Sequence, residues 1–170
     1  MTPSPSKATK QAGRSAARLA AVQGLYQMDL AATDLNVVIR DLTSDPIKDA
    51  GSDAAPGEPP PEMLEPDETF LAELLRGVVR RQLDIDPMVD GQLASGWRLA
   101  RVDSILRAIL RSAVFELMER NEVPARVVIN EYVEIAHAFL GADEPKVVNG
   151  VLDKIARRLR AGEFASSSES

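Results

Sequence analysis

Four basic side chains near the start of the chain are the first with chemistry to offer. Lys7, Lys10, Arg14 and Arg18 are spaced by three, four and four residues, and the first 28 residues hold no Asp or Glu. On a helix these spacings place the cations along one face. The helix macrodipole opposes cations near an N-terminus, so a phosphate partner would account for their use there. Tyr26 lies eight residues beyond Arg18, at a similar angle, and its ring offers a face for base stacking. The plainer alternative is a solvated helix start with Tyr26 in the core.

The other titratable groups build no reaction centre. There is no Cys, which excludes a disulfide framework, a thiol nucleophile and Cys-ligated metal sites. Glu134 and His137 have the Glu-x-x-His spacing of a di-iron bundle. That chemistry needs two such motifs on different helices, and His137 is the single His. Glu131 with Glu134, and Glu116 with Glu119, are carboxylates one turn apart. Such pairs are routine on helix surfaces, whereas acid–base catalysis needs them in a cleft with separated environments. No phosphate loop, dinucleotide fingerprint or nucleophile elbow is present. The sequence therefore predicts no catalytic residue, no metal site and no cofactor.

The elements that must carry these residues fit one domain. A chain of 170 residues buries roughly 70% of its extended surface. The net charge of −6 is unevenly placed. Residues 41–68 carry nine acids against one base, Lys48; the rest of the chain holds 19 bases and 17 acids. An acidic total is thus compatible with a local polyanion site. No apolar run approaches the ~20 residues of a membrane span, and no secretory leader precedes the first helical pattern. A cytoplasmic protein is expected.

Periodicity predicts an all-α fold of about seven helices. Residues 1–10, with Pro3 and Pro5, read as a disordered basic tail. A helix begins near Gln11 and carries Leu19, Val22, Leu25, Tyr26 and Met28. Thr33 or Asp34 can cap a short second helix. Residues 44–66 hold six of the eleven prolines and too little apolar surface to offset ordering entropy, so they read as an acidic, Pro-rich loop, a solvated linker more readily than a lid. Asp67 is a fitting N-cap for a helix over Phe70, Leu71, Leu74, Leu75, Val78 and Val79. Residues 84–97, around Pro87, read as a separate short helix. A strongly periodic helix follows Val102 or Asp103, another follows Pro124 and ends at Gly141, and a last one runs from Pro145 to about Ala161. The single domain spans 11–162, with a disordered tail at 163–170.

The stretch VPARVVINEYVEIAHAFLGADEPKVVNGVLDKIAR at 123–157 resembles the signature of the NusB family of transcription antitermination factors. ARLAAVQGLYQMDL at 17–30 is similar to the family's first helix, and LRAILRSAVFEL at 106–117 to a later one. The resemblance covers the chain from about Arg14 to Arg160. It implies an all-α fold of two three-helix subdomains with a further short helix, and no catalysis. It implies binding of the boxA element of ribosomal RNA leader transcripts, together with NusE, a small-subunit ribosomal protein, in an antitermination complex on RNA polymerase. Family RNA contacts lie at the Arg-rich start of the first helix and at the turn before the last. Carried over by position, they are Arg14, Arg18 and Tyr26, then Asp143 and Lys146. Some relatives self-associate through that face.

The expected mechanism is binding without reaction. Lys7, Lys10, Arg14 and Arg18 would neutralise backbone phosphates, releasing counterions. Tyr26, Asp143 and Asn149 are candidates to meet unstacked bases. Asp143 has an alternative role as the cap of the last helix, and Asn149 beside Gly150 an alternative in close helix packing. Ser15 and Ala16 stand where relatives carry Arg, which with the acidic loop motivates a second function: a helical protein-interaction module with weak RNA affinity of its own. A third, the helical domain of a ribosomal RNA methyltransferase, would bring a cysteine-bearing domain that this sequence lacks.

Overall fold

A computed structural model describes residues 6–43, 65–94, 98–99 and 102–165. Within them the chain forms seven helices: α1 Lys7–Ala31, α2 Leu35–Thr43, α3 Glu68–Asp90, α4 Ser104–Glu119, α5 Ala125–Phe139, α6 Glu144–Leu159 and α7 Ala161–Ala165. No strand occurs among the described residues. Helices α1, α2 and α3 pack on one another, as do α4, α5 and α6, and α4 joins the halves by lying against both α1 and α3. None of the helices is long and apolar enough to cross a membrane.

Short polar caps set the helix starts. Asp34, Asp67 and Asp103 each accept a backbone N–H of the helix they open, from Asn36, Phe70 and Ile105 at 2.9, 3.0 and 2.8 Å, which satisfies donors that lack an intrahelical partner. Ser6 does the same for α1, accepting from the Thr9 N–H at 3.2 Å. Its cap corrects the expected disordered tail: helix begins at Lys7, so Lys7 and Lys10 are helical, while residues 1–5 lie outside the described residues. Most of the expected acidic loop, 44–64, also lies outside them. The chain re-enters at Glu65, and the Asp67 N–H donates to the Gly13 carbonyl of α1 at 2.9 Å.

Pro87 does not break the third helix. Instead of a separate helix at 84–97, α3 continues through Pro87 to Asp90. Proline removes one backbone bond, to the carbonyl four residues back. That residue, Leu83, is 91% exposed, so water can replace the missing donor. Ile85 and Val89 are fully buried, and the Arg111 guanidinium grips the Asp86 carboxylate with two bonds of 2.9 Å. Packing on both sides of Pro87 outweighs the loss. The count of seven is instead completed at the C-terminus, where α7 occupies residues expected to form the tail.

Helix α4 is buried on most of its circumference, from Leu106 to Leu117, as expected of a helix covered by neighbours on several sides. It packs on α3, where Gly77 presents bare backbone to the Phe115 ring: a Cβ there would fall 2.1 Å from that ring. The C-terminus of α4 is closed by Arg160, buried at 7% exposure. Its guanidinium donates to the carbonyls of Leu117 at 3.1 Å, Glu116 at 2.9 Å and Arg120 at 2.8 Å, and to that of Val123. A cation at these free carbonyls is favoured by bonding and by the dipole. Arg160 stands at the end of its own helix, yet its guanidinium serves the end of α4.

Candidate nucleic-acid interface

The face of α1 that carries Lys7, Lys10 and Arg14 opens on a cleft of about 790 Å³, whose far wall is residues 122–124 and Val127 at the start of α5. Two acids also line it, Asp67 and Glu122. Both are engaged: Asp67 caps α3, and Glu122 lies 2.9 Å from Arg120. Among the described residues, Lys7, Lys10 and Arg14 form no ion pair. The uncompensated charge of the cleft is therefore positive.

One aromatic ring organises this end of the molecule. The guanidiniums of Arg14, Arg18 and Arg120 each lie 5.1 Å from the centroid of Phe70, within cation–π range. Phe70 itself is buried. It holds Arg14, which is half-buried, at the cleft without an acid to neutralise it.

Arg18 lies where the sequence did not place it. It is 1% exposed. Its Nε and Nη2 donate to the two oxygens of Glu116 at 2.8 and 2.9 Å, and its Nη1 is 3.7 Å from Glu131. Burial works to lower the guanidinium pKa, but the Glu116 bond and charge outweigh it and raise the value above the ordinary one. Arg18 stays cationic and inward. The expectation of a fourth surface cation is corrected: Arg18 lines the floor of the cleft, but α4 and α5 cover it one turn beyond Arg14 and leave it 1% exposed. Glu116 is corrected with it. Rather than forming a surface pair with Glu119, it is fully buried, and Glu119 turns to Arg80 at 2.9 Å.

Helices α1 and α5 lie side by side and run in the same direction. Arg14 faces Val127 across the cleft, Ser15 donates to Glu131 at 2.8 Å, and Tyr26 and Phe139 line one groove. At this far end Tyr26 and Phe139 flank an apolar groove of about 290 Å³ with Val22, Gln23 and Ile105. Tyr26 is 36% and Phe139 46% exposed. Tyr26 is therefore a surface aromatic, not a core one. Phe139 is the last residue of α5, and the end of the helix there leaves it uncovered.

The turn after Phe139 leads to Asp143, four residues on, which is exposed and makes no side-chain cap bond to α6. It holds the N-cap position of α6 through its backbone alone, its carbonyl accepting the Val147 N–H at 3.3 Å. Lys146 and Asn149 stand exposed one turn apart on α6. The structure thus joins Lys7, Lys10 and Arg14 in one cleft, sets Tyr26 at the other end of the α1–α5 seam, and connects Asp143 to that end through the turn. Glu134 and His137 are both exposed on α5, and among the described residues no cluster of His, Asp and Glu is placed to hold a metal.

Comparison with known proteins gives a consistent picture. A family model described as the NusB family matches residues 15–157. Transcription antitermination protein NusB of Rhodopseudomonas palustris strain TIE-1 is 48% identical over 152 residues, covering 89% of this chain and 83% of the relative. The protein of the same name from Maricaulis maris is 47% identical over 151 residues, covering 89% and 90%. A solved structure of T. maritima NusB superposes with a TM-score of 0.70 at 25% identity, covering 89% of this chain and 96% of that one. A chain in a crystal structure of a plectonemic RNA supercoil superposes with a TM-score of 0.66 at 23% identity, a likeness of fold alone.

Proposed function

The chain belongs to the NusB family and is a transcription antitermination protein, and from that premise we propose that it works by holding single-stranded RNA on the α1–α5 face. The RNA proposed is the boxA element of ribosomal RNA leader transcripts, held together with NusE in a complex on RNA polymerase in the cytoplasm. The mechanism is binding without catalysis. One observation carries it: Lys7, Lys10 and Arg14 line a cleft whose two acids are already engaged. Phosphates can therefore displace water and counterions there without first breaking an ion pair. Exposed Asp143 can accept from a base amino group, and Lys146 and Asn149 stand one turn into α6 to extend the contact. A titration with boxA RNA and a scrambled control, with and without NusE, tests the reading. Preference for boxA, sharpened by NusE, is expected; equal affinity for both RNAs contradicts it.

A helical interaction module with weak RNA affinity is the second reading. It is favoured by Leu83, 91% exposed, with Val79 one turn before it at 41%, an apolar pair on α3. Capture of NusE without detectable RNA binding would support it.

A further inference from the structure

We propose that Glu163 is a positioning residue for the cationic cleft: with the buried Arg160 it clamps residues 120–125 from behind and so sets the wall that faces Lys7, Lys10 and Arg14. The inference rests on the reading of the chain as an RNA binder and names a device that reading does not contain. Helix α5 opens on Pro124, which supplies no side-chain cap. The first N–H groups of a helix need partners from outside it. The Ala125 N–H finds its partner 38 residues away, donating to Glu163 Oε1 of α7 at 3.0 Å. Glu163 Oε2 accepts from Arg160 Nη1 at 3.2 Å. The same guanidinium donates to the Arg120 carbonyl at 2.8 Å and to that of Val123. Arg160 thus holds the residue before Pro124, and Glu163 holds the residue after it.

The clamped residues are the far wall of the cleft. Glu122, Val123 and Pro124 line it, and Arg160 and Glu163 brace them without lining it. Helix α7 is itself tied down. The Glu163 N–H donates to the Arg160 carbonyl at 3.0 Å, and the Phe164 ring lies 4.8 Å from the Arg157 guanidinium of α6, within cation–π range. A wall held on both sides of a proline is preorganised, so an RNA that closes on it loses less freedom in binding. Charge works in the opposite direction. A carboxylate behind a phosphate cleft can, by Coulomb repulsion alone, only weaken the hold on RNA. The hydrogen bond that Glu163 accepts at the positive end of α5 accounts for an acid at this place. Positioning and charge therefore predict opposite signs when Glu163 is removed.

The test uses the full chain, boxA RNA and a pair of spin labels. The chain has no Cys, so Ala8→Cys on α1 and Asn121→Cys beside the far wall, both exposed, take labels at those positions alone. Double electron–electron resonance then reads the distance across the cleft. Glu163→Ala and Glu163→Gln both remove the charge, but only Gln keeps an acceptor for the Ala125 N–H. Glu163→Ala should broaden the distance distribution and weaken RNA binding by about 2-fold to 10-fold, the net worth of one hydrogen bond, with the salt dependence unchanged. Glu163→Gln should keep both the distribution and the affinity. Phe164→Ala, which leaves every charge in place, should act like Glu163→Ala by loosening α7. The Glu163 side chain is 39% exposed, and a thermal melt confirms that the variants fold. Unchanged distances or unchanged affinity in Glu163→Ala would overturn the positioning role and leave the cationic cleft standing, provided Arg14→Ala still weakens binding. Glu163→Gln behaving like Glu163→Ala, or tighter binding in both, would also overturn it. Absence of RNA binding by the unaltered chain would overturn both readings.

Discussion

The Arg18 guanidinium and the Glu116 carboxylate face each other with bonds of 2.8 and 2.9 Å, and neither is open to solvent. The pair ties the first helix to the last turn of the fourth, 98 residues away. It divides the basic stripe of α1 in two: the part before Arg18 faces the cleft, and Arg18 itself anchors the helix that presents it. Removing one member of a buried pair strands the other, at a cost of about 3–5 kcal/mol. Arg18→Met should therefore unfold at markedly lower denaturant. Combining it with Glu116→Leu should restore most of the loss, since both charges are then gone. RNA affinity of the folded Arg18→Met protein should keep its salt dependence. A denaturation series with the double variant checks both expectations.

Tyr132 lies beside this pair, fully buried, with no hydrogen bond of good geometry to its hydroxyl. Burial, and then the Glu116 charge, raise its pKa well above that of a free phenol. A raised value in the folded state contributes stability that is fully present below the unfolded pKa, about 10. It is lost as pH rises beyond that, by up to about 1.4 kcal/mol per unit. Tyr132→Phe should remove this share of the alkaline loss and leave stability near neutral pH changed by less than about 1 kcal/mol. Urea melts at pH 7 and above pH 10 measure it.

Gly77→Ala should be costly although alanine favours helix. The new methyl would meet the Phe115 ring, and overpacking of this kind costs about 1–3 kcal/mol. Phe115→Leu in the Gly77→Ala background should recover part of the loss, whereas additive destabilisation would show that the two helices do not meet there.

Ala32 closes α1 in the left-handed region, at φ 49° and ψ 36°. An L-residue with a side chain pays about 1–2 kcal/mol there, while glycine pays an entropic cost of roughly 0.5–1 kcal/mol in the unfolded chain. Ala32→Gly should raise stability by about 0.5–1 kcal/mol, read as a higher thermal midpoint.

Much of this architecture was legible in the chain. Asp34, Asp67 and Asp103 announce helix starts because each precedes an apolar stripe and can accept a free N–H. The α1 stripe was legible as a stripe. Which part of it faces water was not, because that depends on α4 and α5, contributed from a hundred residues away. The same long-range packing turned Glu116 inward while leaving Glu119 at the surface, although their spacing looks like that of any exposed pair. Pro87 misled because proline usually marks a boundary, and nothing local shows that Ile85 and Val89 are both pinned in the core. Phe139 gave no signal, since periodicity assigns a helix face but does not reveal where its cover ends. Arg160 had none either: its partners are carbonyls of another helix.

The most direct test of the account is the salt dependence of boxA RNA affinity for the unaltered chain and for the Lys7→Ala, Lys10→Ala, Arg14→Ala triple variant. Three phosphate contacts at about 0.7 each predict that log K falls with log salt at a slope of roughly −2, and that the triple variant brings the slope close to zero. A slope unchanged in the triple variant would show that the RNA is held elsewhere and would contradict the cationic cleft as its seat.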